Sequence, residues 1–168
     1  MTVSFPDLPM AVFSPCRQYR YFLKRSWDPL FHSEQFVAFL CLNPSTADES
    51  TNDNTVVRCI GFAKAWGYSA LAIINIFAFR ATRPANMLAH HDPVGDENDG
   101  WIKMVAESAD MVIAAWGNNG AHLERSAGIK EMFHGLGVGL HCLSVTLAGH
   151  PEHPLYLRSD LIPMPYRG

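Results

Sequence analysis

Asparagines near the ends of two apolar runs are the first candidates for chemistry in this chain. Asn43 follows the run FVAFLCL, and Asn75 lies near the end of the run ALAIINIF. A side-chain amide offers both a donor and an acceptor, so it can orient water or bind the edge of a planar ligand such as a nucleobase. We take Asn43 as a candidate for positioning an attacking water and Asn75 for binding a base. The structural alternatives are a turn asparagine and a buried amide that bridges two strands.

Aromatic and basic side chains follow Asn75 closely. Phe77 and Phe79 are candidates for stacking on a base, an interaction worth roughly 1–3 kcal/mol. Arg80 and Arg83 come next, and Arg58 lies in the first turns of a predicted helix. Arginine pairs well with phosphate, and a helix N-terminus also attracts phosphate. The alternatives are core phenylalanines and solvated arginines.

The remaining candidates lie in three other loops. Asp48 is a candidate general base or cation ligand, with a solvated loop acid as the alternative. Gly117, in WGNNG, allows a ligand close to the backbone, although a simple strand-to-helix turn explains it equally well. His150 and His153 are candidates for donating to negative charge that develops on a leaving group, and Tyr156 lies beside them. A structural histidine is the alternative.

The composition favours one folded domain over residues 1–168. Hydrophobic residues make up 48% of the chain and charged residues 17%, so a sizeable core is expected. The net charge of −3 does not supply the basic face that non-specific binding to duplex DNA needs. The partner that we expect is instead a nucleotide or a nucleic acid bound at a local site.

Cysteine usage and apolar run lengths predict the surroundings of the protein. No CxxC pair occurs, and Cys41 and Cys142 lie in apolar runs where we expect buried thiols. The two tail histidines lack accompanying cysteines, so we expect no metal site, and no motif implies a cofactor. No signal peptide and no membrane-spanning run is visible. We therefore expect a cytoplasmic protein without a membrane partner, and the sequence predicts no particular oligomeric state.

Periodicity and turn residues predict the elements that position these candidates. Mixed aromatic and basic residues favour an edge strand, and continuous apolar runs favour buried strands. The edge strand is predicted over 18–27, and the buried strands, first to fourth, over 36–42, 70–77, 111–116 and 140–145. Helices are predicted over 55–66, with Asp53 or Asn54 as cap, over 96–109 and 120–133, and as a short stretch from Pro84.

Apolar strands separated by helices predict an α/β fold with three layers, α/β/α. The centre is a four-stranded parallel sheet in the order 2-1-3-4, accompanied by an N-terminal edge strand or hairpin. Ligands of such sheets bind outside the carboxyl ends of the strands, where the order reverses. The loops expected there are 43–54, 75–84, 117–122 and 149–158, and they contain most of the candidate residues.

Six segments of the chain form a specific combination, namely LNPSTAD, NDNTVVRCIGFAKAWGY, NIFAFRAT, DPVGDEND, AWG and GHPEHPLYL. Through these segments the chain resembles a bacterial and phage family known as domain of unknown function 1643. The resemblance covers nearly the whole chain, and no established activity comes with it.

A more distant resemblance is to the uracil-DNA glycosylase superfamily. Leu42-Asn43-Pro44 is similar to its first motif, whose asparagine helps to position water, and Asn75 is similar to its base-reading asparagine. The segment HPEHPLYLR resembles its last motif, with either His150-Pro151 or His153-Pro154 as the match. The resemblance implies the same sheet order and a histidine that donates to the base carbonyl.

Together these patterns predict a hydrolase of N-glycosidic bonds in a nucleotide or nucleic acid. A target within a duplex would have to be flipped out of the helix first. The alternatives are a non-catalytic module that binds nucleotides or nucleic acid, and a hydrolase or transferase of a small phosphorylated metabolite.

Overall fold

The computed structural model, which describes residues 4–28 and 35–168, contains a mixed sheet with helices on both faces. Seven strands of the described residues form this sheet in the order β1-β2-β4-β3-β5-β6-β7. In chain order they are β1 (Ala11–Phe13), β2 (Arg20–Ser26), β3 (Val37–Cys41), β4 (Ala70–Asn75), β5 (Met111–Ala115), β6 (Leu140–Cys142) and β7 (Met164–Pro165).

Four parallel strands form the centre of the sheet. The strands β3 to β6 correspond to the four apolar runs, and they pair in the order β4-β3-β5-β6. This is the predicted order 2-1-3-4. Every residue of β3 and β4 is buried, and this burial on both faces is the reason that their sequences are apolar throughout. The last of these strands, β6, is shorter than predicted.

The sheet is larger than the four strands and one edge element that the sequence predicts. β1 and β2 form the predicted N-terminal hairpin, but β2 is an inner strand because it also pairs with β4. At the other edge, β7 pairs antiparallel with β6. The prediction of an edge position for β2 is therefore wrong. Its alternating pattern suggested a solvated face, whereas its first six residues are all buried.

Basic side chains of β2 are buried because backbone carbonyls accept their hydrogen bonds. The Nζ of Lys24 donates to the carbonyl oxygens of Phe5 at 3.3 Å, of Pro6 at 2.8 Å and of Leu8. A buried charge is costly unless its donors have partners. These bonds provide partners for the lysine and fasten the N-terminal segment to the sheet.

Four α-helices lie in the described part of the chain, namely α1 (Asn54–Ala65), α2 (Pro84–Leu88), α3 (Asn98–Ser108) and α4 (Arg125–Leu136). Asp53 caps α1, as predicted, because its Oδ1 accepts a hydrogen bond from the N–H of Val56 at 2.9 Å. α4 begins later than its predicted start at residue 120. A 3-10 turn precedes it, and Leu123 and Glu124 adopt left-handed backbone conformations there.

Helices cover both faces of the sheet, which agrees with a layered α/β/α arrangement. α1 packs Val56, Cys59 and Phe62 on one face, while α2, α3 and α4 pack on the other. Cys41 and Cys142 are buried, as predicted, and all four cysteines are free. Within the described residues, no helix combines the length and the apolar character needed to cross a bilayer.

Candidate functional site

The ends of β3 and β4 lie side by side, so the loops that follow them are in contact. Cys41 ends β3 and pairs with Asn75, which ends β4. Beyond this pair, the N–H of Ile76 donates to the carbonyl of Cys41 at 2.9 Å. The N–H of Ala81 donates to the carbonyl of Pro44, also at 2.9 Å. Two of the four predicted loops therefore meet at the carboxyl end of the sheet.

Asn43 connects these two loops through its side chain. Its Nδ2 donates to the carbonyl oxygen of Pro44 at 3.0 Å and to that of Ala81 at 2.9 Å. Both amide hydrogens are therefore engaged, and no described residue donates to Oδ1. The amide is held in one orientation, and the polar atom that remains is a hydrogen-bond acceptor.

A cavity of about 280 Å³ lies against the same loops. Phe79 lies in its wall, and one face of the Phe79 ring is stacked on His90 with 3.8 Å between ring centroids. Ala81, which accepts the hydrogen bond from Asn43, also contributes to the wall. The complete lining consists of Arg17, Gln18, Ser45, Phe79, Arg80, Ala81 and Thr82.

Two arginines border this cavity and flank the ring of Phe13. The guanidinium carbon of Arg17 lies 3.9 Å from the ring centroid and that of Arg80 lies 4.9 Å from it. Arg17 forms a bidentate ion pair with Glu49, with distances of 2.7 and 2.9 Å, and these bonds lower the pKa of Glu49 to about 2. Arg80 instead donates to backbone carbonyls, those of Ser45 at 3.3 Å and Arg17 at 3.1 Å.

Arg20 is a buried residue near this site that the sequence analysis did not identify. Its Nη1 donates to the carbonyl of Ala47 at 2.9 Å, and its Nη2 lies 3.5 Å from the Oδ1 of Asn75. Its Nε is buried and has no hydrogen-bond partner. Burial lowers the pKa of Arg20 to about 10, and the nearby carboxylate of Asp53 opposes this shift. The only signal in the sequence was the mixture of aromatic and basic residues in QYRYFLKR, which favoured an edge strand and made no prediction for Arg20.

Arg25 holds the middle of the loop between β3 and α1. Its Nε donates to the Oδ1 of Asn52 at 2.7 Å, and its Nη2 donates to the carbonyls of Asp48 and Thr51. Arg20, Arg25 and Arg80 thus all bind neutral oxygens of this region. No carboxylate in the described ranges lies within ion-pair distance of any of the three.

Asn75 is almost completely buried, with 2% of its surface exposed. A guanidinium carries only donors, so the oxygen of the Asn75 amide faces Arg20 and its Nδ2 remains as a donor. The backbone carbonyl of Asn75 accepts a hydrogen bond from Asn98 at 2.9 Å. The contacts are those of a buried bridging amide, and the binding of a base by this amide stays a prediction.

Phe77 and Tyr156 have opposite environments. Phe77 is fully buried, and its ring packs in the core 5.8 Å from the ring of His122. It is therefore a core residue and offers no ring face to a ligand. Tyr156 is 90% exposed. Of the two phenylalanines predicted to stack on a base, only Phe79 lines a cavity.

Asp48 forms a turn rather than facing a ligand. Its Oδ1 accepts hydrogen bonds from the N–H of Ser50 at 3.0 Å and of Thr51 at 2.8 Å. These backbone bonds lower the pKa of Asp48, which makes its carboxylate a weak base. The alternative of a solvated loop acid did not foresee these backbone contacts, and the role of Asp48 as a general base or cation ligand stays a prediction.

His153 is a partly buried residue near the N-terminus of α1. Its Nδ1 accepts a hydrogen bond from the N–H of Leu155 at 3.3 Å, so the neutral ring carries its proton on Nε2. Burial lowers the pKa of His153, while the negative charge of Asp53 raises it. Asp53 thus lies within electrostatic reach of both Arg20 and His153.

The tail reaches the end of β5 through Gly117. The N–H of Gly117 donates to the carbonyl of Pro151 at 2.7 Å, and Gly117 has a positive φ of 67°. His150 closes a tight turn, because its N–H donates to the Oγ1 of Thr146 at 3.2 Å. The third and fourth predicted loops are therefore also in contact at the carboxyl end of the sheet.

Arg58 lies at a different cavity from Arg80. It borders a cavity of about 460 Å³ formed by α1 and Ser159. Its Nε donates to the carbonyl of Pro154 at 3.4 Å, and its guanidinium lies 5.0 Å from the ring centroid of Phe62. The two arginines do not share a phosphate site in this arrangement.

The structure brings part of the predicted site together. Phe79 and Arg80 line one cavity, and Asn43 donates a hydrogen bond to Ala81, which also lines it. The side chain of Asn75 contacts Arg20, which lies near these loops. The side chains of Asn43, Asn75 and the tail histidines do not line that cavity. Across residues 4–28 and 35–168, no three His, Cys, Asp or Glu side chains are grouped so that they could hold a metal ion.

Comparisons with known proteins give one match. A family model described as "Protein of unknown function (DUF1643)" matches residues 20–155. No curated protein and no solved structure matches the chain. The match contains every predicted site residue except Tyr156.

Proposed function

The chain belongs to the DUF1643 family of proteins of unknown function, which assigns it no activity, and we propose from its geometry that it hydrolyses an N-glycosidic bond in a nucleotide or nucleic acid. The observation that carries the proposal is the fixed amide of Asn43. Its nitrogen is engaged by two carbonyls, and its free Oδ1 lies on the loops that form the wall of the cavity beside Phe79.

The roles in this proposal follow from the chemistry of each group. The Oδ1 of Asn43 accepts a hydrogen bond from a water and orients it towards the sugar carbon. Phe79, which lines the cavity and is stacked on His90 and in edge contact with Tyr19, stacks on the base. Arg80 binds phosphate, and its guanidinium has no acidic partner in the described chain.

Asn75 and His153 do not line the cavity beside Phe79, and in the proposal they complete the reaction from the neighbouring loops at the carboxyl end of the sheet. The Nδ2 of Asn75 donates to a carbonyl of the base, because its oxygen already faces Arg20. The Nε2–H of His153 donates to the negative charge that develops on the departing base. These roles correspond to those implied by the resemblance to the uracil-DNA glycosylase superfamily. We include in the proposal a fold of that type, and the order β4-β3-β5-β6 supports it.

The test is release of free base from labelled uracil-containing DNA, other modified DNA and nucleotides. Asn43→Ala should lower kcat by about 100-fold, a loss typical of removing one group that orients reactants. Asn86→Ala, an exposed asparagine on α2, is the matched control and should keep full activity. Absence of base release from every substrate by the folded wild-type protein would contradict the proposal.

A non-catalytic nucleotide-binding module is the second candidate function. The observation that favours it is the environment of Asp48, whose carboxylate is occupied by backbone N–H groups and is a weak base. A module of this kind would bind nucleotides with unchanged affinity after Asn43→Ala, and it would have no turnover to lose.

A further inference from the structure

We infer that the substrate of the proposed reaction is a free nucleoside 5′-monophosphate rather than a nucleotide within a polymer. The inference rests on the proposed function, because it assigns the substrate class of the same site. Three features carry it: arginines that form no direct ion pair although Asp48, Glu49 and Asp53 lie within electrostatic reach, the size of the cavity, and the side chains exposed around the carboxyl end of the sheet.

The first feature is the concentration of positive charge at the loop between β3 and α1. Arg20, Arg25 and Arg80 direct their donors mainly at backbone carbonyls and side-chain amide oxygens. Neutral oxygens satisfy hydrogen bonds but do not cancel a charge. Buried charges normally have a partner of opposite sign, so this region favours an anionic ligand.

Arg20 strengthens this argument because its hydrogen bonding is incomplete. The side chain is 2% exposed, its Nε has no partner, and its contact with Asn75 is long at 3.5 Å. The positive charge is therefore retained inside the protein without a full set of partners. Its field acts on the loop region through a medium of low polarity, where electrostatic interactions are screened less than in water.

The charge of the ligand distinguishes a monophosphate from a polymer. A phosphate monoester carries −1.5 to −2 charges near neutral pH, whereas each phosphodiester of a nucleic acid carries one. Of the three arginines, Arg80 lines the cavity and forms no ion pair with a described carboxylate, so its charge matches a compact dianion better than a single backbone phosphate. The Nη2 of Arg80, which makes no hydrogen bond to any described residue, provides a direct donor for it.

The second feature is the size of the cavity. Its volume of about 280 Å³ is close to the lower end of the roughly 300–1,000 Å³ of small-molecule sites. One wall contains the ring of Phe79, and Arg80 lies next to it along the chain. The cavity therefore suits one planar ring and one phosphate group.

The third feature is the surface formed by the other carboxyl-end loops. Leu123 is 65% exposed, Leu147 is fully exposed, and Tyr156 is 90% exposed. The nearby Arg158 is paired with Asp160 at 2.5 Å. A nucleic acid requires several cations in register with its phosphates, whereas Leu123, Leu147 and Tyr156 are uncharged and Arg158 is ion-paired; the exposed Arg83 in the loop after β4 is a further cation at this end of the sheet.

The reaction adds water across the bond between C1′ of the sugar and the nitrogen of the base. The carbon–nitrogen bond breaks, and its electron pair leaves with the base. The hydroxyl group of water forms a bond to C1′, and a proton of that water is transferred to the base. The products are the free base and the sugar 5-phosphate, and no oxidant, reductant or further reactant is needed.

The experiment compares binding and turnover of matched ligands by calorimetry and chromatography. The probes are uridine, cytidine, adenosine, guanosine and inosine 5′-monophosphates, the corresponding nucleosides, inorganic phosphate, and single- and double-stranded oligonucleotides that contain uracil. We expect at least one monophosphate to bind at least 10-fold more tightly than its nucleoside and to release its base.

Arg80→Gln should remove this 10-fold preference and leave the affinity for the nucleoside within about threefold. If the role of Arg80 were purely structural, the substitution would weaken the binding of nucleoside and monophosphate equally. Arg167→Gln, an exposed arginine near the end of the chain, is the control and should preserve the preference.

The outcomes separate the inference from the proposed function. Phosphate-dependent binding of a monophosphate without release of base would support the assigned ligand class and contradict the hydrolytic function. Release of base from oligonucleotides but not from any monophosphate would overturn the inference and leave the function standing. Equal affinity for nucleoside and monophosphate, or no binding of either, would also overturn it.

Discussion

Single side chains at the carboxyl end of the sheet have contacts that determine which chemistry each can perform. Asn43 has a fixed nitrogen and a free oxygen, whereas Asp48 has its carboxylate oxygen occupied by two backbone N–H groups. The first arrangement suits the orientation of water, and the second suits a turn. These two polar residues of one loop therefore differ in the chemistry that they could perform, because their local hydrogen bonds differ.

His153 is expected to titrate below the ordinary value of about 6.5 for a histidine, because its ring is desolvated. Asp53→Asn should lower this pKa further, since Asp53 favours the charged ring, and an asparagine still caps α1. Titration of the histidine ring by NMR measures both values. Glu107→Gln, on the exposed side of α3, is the control, and a rise of the pKa in Asp53→Asn would contradict the assignment.

The same shift predicts a dependence of stability on pH. The folded pKa of His153 lies below the unfolded value, so acidification protonates the unfolded state first. His153 therefore leaves the free energy of unfolding unchanged above about pH 6.5 and lowers it as the pH falls towards the folded pKa. Urea unfolding of His153→Gln should show a smaller decline over this range than the wild type.

Among the elements, the connection between β5 and α4 depends on a glycine for close packing. A Cβ added at Gly120 would collide with the indole ring of Trp116, which is a buried core residue. The 3-10 turn before α4 can therefore lie against β5 only with glycine at this position. The glycines of WGNNG suggested that a ligand could lie close to the backbone. At Gly120 the group that lies close to the backbone is instead the side chain of Trp116 in the core.

Gly120→Ala should lower the free energy of unfolding by about 1–3 kcal/mol, because the added methyl group overpacks the core. Gly128→Ala is the matched control, since Gly128 lies inside α4 with open space around its added Cβ. It should raise stability by about 0.5–1 kcal/mol through helix propensity. Denaturation in urea measures both changes, and equal effects of the two variants would rule out the packing role of Gly120.

For the whole molecule, the distribution of charge decides what it attracts at long range. The net charge is −3, while several of its cations are buried in β2 and others form ion pairs. The buried cations Arg20 and Arg25 lie under the loop between β3 and α1, within electrostatic reach of the carboxylates of that loop. Such a molecule attracts a small anion to one place and does not attract a long polyanion over a broad face.

Binding to duplex DNA should accordingly be weaker than the 10⁻⁴ to 10⁻⁶ M that is typical of non-specific DNA-binding proteins at physiological salt. Fluorescence anisotropy with a labelled duplex of random sequence measures this affinity. A dissociation constant below about 10⁻⁶ M with a steep salt dependence would contradict this prediction and show that the folded protein presents a basic face to DNA.

The sequence by itself determined the central sheet. Continuous apolar runs, separated by amphipathic helices, favour strands buried on both faces, and right-handed connections permit the order β4-β3-β5-β6 that the structure shows. The cap at Asp53 and the burial of Cys41 and Cys142 also follow from local pattern. These features depend on neighbours in the chain, so periodicity and turn chemistry reveal them.

Only the tertiary structure decided the position of β2, the burial of Arg20 and the separation of Arg58 from Arg80. A strand becomes an inner strand when other segments pair with both of its edges. For β2, the strand β1 pairs with one edge and β4 pairs with the other. A buried arginine is acceptable because carbonyls of a distant loop accept its hydrogen bonds. Such partners are far away in sequence, so no local pattern contains them.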